Sequence, residues 1–175
     1  ASSCRFSSGF VSNHNPGILL RLSLLIMLLI PVSAASAGEW TLKVLHTGRL
    51  NDVYFVNEWT GWVVGDSGKV FKTTDGGESW NPQPRVTLYP LYAVSFVDSN
   101  IGYAVGDMNT IIKTIDGGAA WNVLTLPDYA LIWVGVHFAD EQTGWVLNSP
   151  SLGDGIVRKT TDGGSTWSDL TSLGK

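Results

Sequence analysis

A chain of 175 residues with a formal net charge of -4 and only 15% charged residues lacks the clustered lysine and arginine of a nucleic-acid footprint. Its single cysteine, Cys4, excludes a disulfide framework and a thiolate metal site, and His14, His46 and His137 form no ligand pair at helical or zinc-finger spacing. Eight Trp and twenty Gly favour short strands and tight turns over helices.

Residues 1–37 differ from the rest. They hold no Asp or Glu, several Ser and two arginines, Arg5 and Arg21, before an apolar run from Leu22 to Ile30. Pro31 ends the run, and Ala35-Ser36-Ala37 supplies an A-x-A cleavage signal. This is the layout of a secretory signal. The run is about half the ~20 apolar residues a membrane span needs, so contact with a membrane is expected only through an uncleaved signal. An acid-free, Ser-containing stretch in this position also fits a plastid transit segment. Export follows from either reading, to a periplasmic or extracellular space or, for a photosynthetic source, to the thylakoid lumen. The first Met is Met27, inside the apolar run, and the sequence is expected to be a fragment.

The remainder, residues 38–175, is an internal repeat. Leu50, Val53, Phe55, Gly61, Gly65, Asp75-Gly76-Gly77 and Trp80 recur 41 residues later as Leu91, Val94, Phe96, Gly102, Gly106, Asp116-Gly117-Gly118 and Trp121. A third copy carries Phe138, Gly144, Trp145, Asp162-Gly163-Gly164 and Trp167, with four extra residues between Trp145 and Lys159. A period of about 40 residues signals a propeller or solenoid. In the first copy strands are expected at Leu50–Val56, Gly61–Gly65 and Lys69–Thr73, with a fourth starting near Ser79-Trp80. Asp-Gly turns separate the last two, because Gly accepts positive φ. Four strands per copy make a propeller blade. The expected fold is therefore all-β: a partial propeller of about three blades at 50–81, 91–122 and 132–168. A full-length ring of such blades would be monomeric.

Each copy closes on one motif. Thr73, Asp75, Gly77, Ser79 and Trp80 in the first, and Thr160, Asp162, Gly164, Thr166 and Trp167 in the third, are similar to the Asp-box, or bacterial neuraminidase repeat. Thr114, Asp116, Gly118 and Trp121 follow it in the second, where Ala120 replaces the hydroxyl residue. An Asp opening a tight turn accepts bonds from the N–H groups that follow. The same acid in every blade suits a repeated turn better than a catalytic centre, so a structural role is expected and no catalytic residue is assigned.

Phe55, Gly61-Trp62-Val63-Val64-Gly65 and the box together resemble the photosystem II assembly and stability factor family and its bacterial relatives. The resemblance covers Leu50 to Trp167. It implies an exported, seven-bladed, non-enzymatic propeller that binds partner proteins, among them subunits of a membrane complex. The family's binding surface is rich in arginine, whereas this body has only Arg49, Arg85 and Arg158.

A carbohydrate-active enzyme remains open as the alternative. Sialidases share the box but need three converging arginines. Repeat-built endoglucanases need two carboxylates across a cleft, and Asp128 with Asp154 is the one candidate pair. No Ser-His-Asp spacing, phosphate loop or metal cluster appears, so no cofactor and no metal are expected. Both readings use the propeller face opposite the boxes. Loops after the fourth strand and between the second and third emerge there, bearing Arg85, Tyr89, Asp128, Tyr129 and Asp154 as candidate partner contacts. Tyr92 and Trp133 either join them or pack between blades.

Overall fold

The computed structural model describes residues 48–124, 126, 131–148 and 155–170. All belong to one compact unit, Leu42–Lys175. The signal-like segment, Asp128, Tyr129 and Asp154 lie outside the described residues.

Three four-stranded antiparallel sheets follow one another along the chain. The first is β1 (Leu50–Phe55), β2 (Gly61–Gly65), β3 (Lys69–Thr73) and β4 (Asn81–Pro82). The second is β5 (Leu91–Phe96), β6 (Gly102–Gly106), β7 (Ile111–Thr114) and β8 (Asn122–Leu124). The third is β9 (Trp133–Phe138), β10 (Gly144–Asn148), β11 (Val157–Thr160) and β12 (Ser168–Asp169). Each sheet is a meander in chain order, as expected of a propeller blade. The second and third strands of the first blade begin and end where the repeat places them. The fourth begins later, at Asn81, because Ser79 is still tied into the preceding turn by Asp75.

Alternation along each strand sends neighbouring side chains to opposite faces of a blade. Val94, Phe96, Ala104 and Ile112 of the second blade therefore pack on Trp62, Val64 and Val70 of the first. Ala93, Val105 and Ile111 pack the other way, on Trp133 and Val146 of the third. The middle blade is covered on both faces, and β6 is buried at every residue, as is β2. The outward side of the third blade instead leaves Leu147 exposed and Trp145 half-buried.

The two joints are built alike. Trp62 stacks on Phe96 with centroids 3.5 Å apart, and Tyr103 stacks on Phe138, also at 3.5 Å. In each case the box tryptophan of the second partner's blade closes edge-on: Trp121 lies 6.0 Å from Phe96 and Trp167 lies 6.1 Å from Phe138. A lysine covers the other face of the first ring, Lys72 over Trp62 at 5.1 Å and Lys113 over Tyr103 at 5.2 Å. Polar atoms complete the joint. The Trp62 Nε1–H donates to the Gly117 carbonyl at 3.1 Å, and the Tyr103 hydroxyl donates to the Gly163 carbonyl at 3.1 Å. Nearer the inner strands, the Asp52 carboxylate accepts the Val94 N–H at 2.9 Å, and the Asn51 side-chain amide donates to the Leu91 carbonyl at 2.8 Å.

Candidate functional site

The turns divide between two faces. On one, every box turn meets the turn between the first and second strands of its own blade: Gly76 N–H donates to Trp59 O, Gly117 to Asn100 O and Gly163 to Gln142 O. Within the box, Asp75 Oδ1 accepts the Thr73 hydroxyl at 2.7 Å and the Ser79 N–H at 2.9 Å, while Oδ2 accepts the Ser79 hydroxyl at 2.5 Å. Thr73 Oγ1 in turn accepts the Gly77 N–H at 2.9 Å. Asp162 repeats the pattern with Thr160 at 2.8 Å and with the Thr166 N–H at 2.8 Å and hydroxyl at 2.6 Å. Asp116 keeps the bonds to Thr114 and to the Ala120 N–H, but Ala120 has no hydroxyl to offer.

These bonds favour the ionised carboxylate. The Ser79 hydroxyl, then its N–H, holds Asp75 well below the usual carboxylate range. The Thr166 hydroxyl and N–H bring Asp162 down to about 2. Asp116 is lowered too, chiefly by the Ala120 N–H. Asp98 and Asp140 tie the first turn of their blades in the same way, and the N–H groups of Ile101 and Gln142 are the main cause of their lowered pKa values. Tyr103 is pushed the other way, to about 12, by burial and then by the charge of Glu141. Among the described residues no cluster of His, Cys, Asp or Glu could hold a metal ion, and no helix is long and apolar enough to cross a membrane.

The opposite face carries the turns between second and third strands and the connections between blades. The first of these turns is a short 3-10 segment, Asp66–Gly68, and the Arg85 guanidinium reaches the Ser67 carbonyl at 3.4 Å. The second turn, Asp107–Thr110, meets the start of the third blade, where the Asn109 N–H donates to Leu131 O at 2.7 Å. Beside this second turn runs an open groove of about 770 Å³, lined by residues 85–89, 108–110, 123, 124 and 126. Arg85 and Tyr89 thus come together here, and both are exposed. Trp133 does not join them. It is fully buried between the second and third blades, with its Nε1–H bonded to Asn109 Oδ1 at 2.8 Å and Arg158 over its ring at 5.5 Å.

The other two body arginines do not converge on the groove. Arg158 is buried and pairs with Asp169 at 2.6 Å, and Arg49 precedes β1, where its carbonyl accepts the Asp66 N–H. Leu88, Met108 and Val123 line the groove yet were not singled out from the sequence. One signal was present: Met108-Asn109 stands where the first copy has Ser67-Gly68, so an apolar side chain replaces a small polar one in a turn. That departure from the repeat marks the position.

Comparison with known proteins agrees with this architecture. No curated protein matches the chain. The solved structure of YCF48 bound to D1 peptide is 27% identical with a TM-score of 0.60, the match covering 69% of this chain and 39% of that one. YCF48 from Cyanidioschyzon merolae is likewise 27% identical, with a TM-score of 0.59 and the same coverage. The chain therefore spans 39% of the length of these relatives. An ancestral GH74 enzyme, 17% identical with a TM-score of 0.60 over 70% of this chain and 18% of that one, shares the fold alone. The family model described as Photosynthesis system II assembly factor YCF48 matches residues 86–174. That match spans half of the chain and bears out the resemblance read from the boxes and the Gly61–Gly65 run: the chain belongs to the YCF48 family of photosystem II assembly factors.

Proposed function

We propose that this protein is a non-catalytic, exported propeller that binds a partner protein on the face opposite its Asp-boxes, during assembly of a membrane complex. The observation that carries the reading is family membership together with a relative held in complex with D1 peptide. A D1-type peptide is accordingly the first partner to try. Residues 1–37 act as the targeting segment, with the thylakoid lumen as the destination in a photosynthetic source.

Two features support a binding role over catalysis. The box carboxylates are engaged by hydroxyls and N–H groups of their own turns, and carboxyls held so acidic make poor proton donors near neutral pH. The arginines that a sialidase would need are spread over separate elements, with Arg158 committed to Asp169.

The test is affinity capture from a native membrane fraction with the full chain as bait, beside direct binding of a D1-type peptide and a glycan-hydrolysis screen. Retention of a membrane-complex subunit is the expected result. Hydrolysis abolished by Asp128→Ala or Asp154→Ala would overturn the reading in favour of a glycoside hydrolase.

A further inference from the structure

We propose that the groove between the connection 85–89 and the second blade binds a polypeptide segment that combines apolar side chains with one acidic side chain, and that Arg85 is the counter-charge. This rests on the protein-binding reading and specifies its chemistry.

Four large side chains of the lining stand exposed. Leu88 is 71% exposed, Val123 51%, Met108 49% and Tyr89 45%, and all four line the same groove. Contiguous exposed apolar area of this kind marks an interaction site, whereas single exposed apolar residues do not. Tyr, Met and Arg are residue types enriched where proteins meet. A thioether side chain also adapts to varied apolar partners.

Charge makes the selection. Among the described residues, Arg85 is the only charged residue of the lining, in a chain of net charge -4. Its guanidinium makes one long bond, to the Ser67 carbonyl, and among the described residues no carboxylate pairs with it. Four further N–H donors remain to take a carboxylate, for which the planar fork is well suited.

Two of the lining's polar side chains are already used within the protein. Thr87 Oγ1 accepts the Tyr89 N–H, and Asn109 Oδ1 accepts the Trp133 Nε1–H. Apolar side chains need only the surface itself.

The turn that presents Met108 is also held in place. Met108 and Asn109 adopt left-handed backbone, φ 51° and 61°, which costs L-residues energy that the surroundings must offset. The bond from the Met108 N–H to Asp107 Oδ1 at 2.7 Å, and those of Asn109 to Leu131 and Trp133, fix it there.

The experiment is selection of a random 12-residue peptide display library on the full chain. Arg85→Glu and Met108→Asp variants follow as competitors, with thermal unfolding checked by circular dichroism. Enriched peptides should pair apolar residues with an Asp or Glu. Each variant should weaken their binding by about 10-fold or more, as loss of a central contact does. Arg85→Glu should in addition shift selection toward Lys-bearing peptides. Enrichment with no acidic preference, or peptides bound equally by both folded variants, overturns the proposal. So does an empty selection. The broader reading survives that failure if both variants still capture the membrane-complex subunit, and fails separately if the unaltered chain captures none.

Discussion

Trp62 and Phe96 lie face to face across the joint between the first two blades, 3.5 Å apart and 12° from parallel. Neither ring is accessible to solvent beyond 1%. The same joint recurs with Tyr103 and Phe138, so the position tolerates either large aromatic but needs a flat ring. Stacking contributes about 0.5–1.5 kcal/mol beyond area burial. Truncating Phe96 to Ala should destabilise by about 3–5 kcal/mol, since it also opens a cavity. Trp62→Tyr should cost much less than Trp62→Ala. Urea unfolding midpoints read both, and equal losses for the two Trp62 variants would remove the stacking account.

The glycine that opens each second strand is explained by the same phenylalanine. Gly61, Gly102 and Gly144 pair in register with Phe55, Phe96 and Phe138. Each ring lies across the bare Cα: a Cβ on Gly61 would come within 2.7 Å of the Phe55 ring, and one on Gly144 within 2.5 Å of Phe138. Gly102→Ala should therefore push Phe96 off Trp62 and destabilise by about 1–3 kcal/mol, as overpacking does. A loss of the near-ultraviolet circular dichroism of the stacked pair should accompany it. An alanine variant as stable as the parent would show that the ring can move aside freely.

How much of this could be read from residues alone depends on what the repeat records. Gly61 and Phe55 recur in every copy, with Trp62 matched by Tyr103 and Trp145, so the strands and the blade could be placed. The partner of each ring could not, because Trp62 and Phe96 belong to different copies and a period is blind to contacts across it. Trp133 shows the same limit: its spacing allowed either an exposed loop residue or one packed between blades, and its packing between the second and third blades decides it. The groove was hardest to see. Its residues come from the connection 85–89, the turn at Met108 and the short outer strand β8, and only the folded chain brings them together.

The second box offers a gain-of-bond test. Ala120 occupies the place of Ser79 and Thr166, whose hydroxyls donate to the outer carboxylate oxygen at 2.5 and 2.6 Å. Ala120→Thr should restore that bond to Asp116 and lower its pKa further. Carboxyl carbon shifts followed by NMR across acid pH would report it. An unchanged Asp116 titration would mean that the hydroxyl does not reach Oδ2 in this blade.

Acid should unfold the protein through these same turns. Asp162 has a folded-state pKa of about 2 against an ordinary 3.8, so the unfolded chain binds the proton more readily. A depressed carboxylate stabilises the fold fully above its unfolded pKa, and that contribution is lost as pH falls through the folded value. Asp75, Asp98, Asp116 and Asp140 are shifted in the same direction, so their effects add. Stability to urea should be flat near neutrality and fall steadily from about pH 4 toward pH 2. Asp162→Asn should lower the neutral-pH midpoint, since an amide cannot accept every bond that the carboxylate does. It should also shallow the acid fall, because one titrating group is gone, and the two curves should approach each other near pH 2. Parallel curves would place the stabilising bonds of Asp162 outside the folding equilibrium and leave the box as a passive turn.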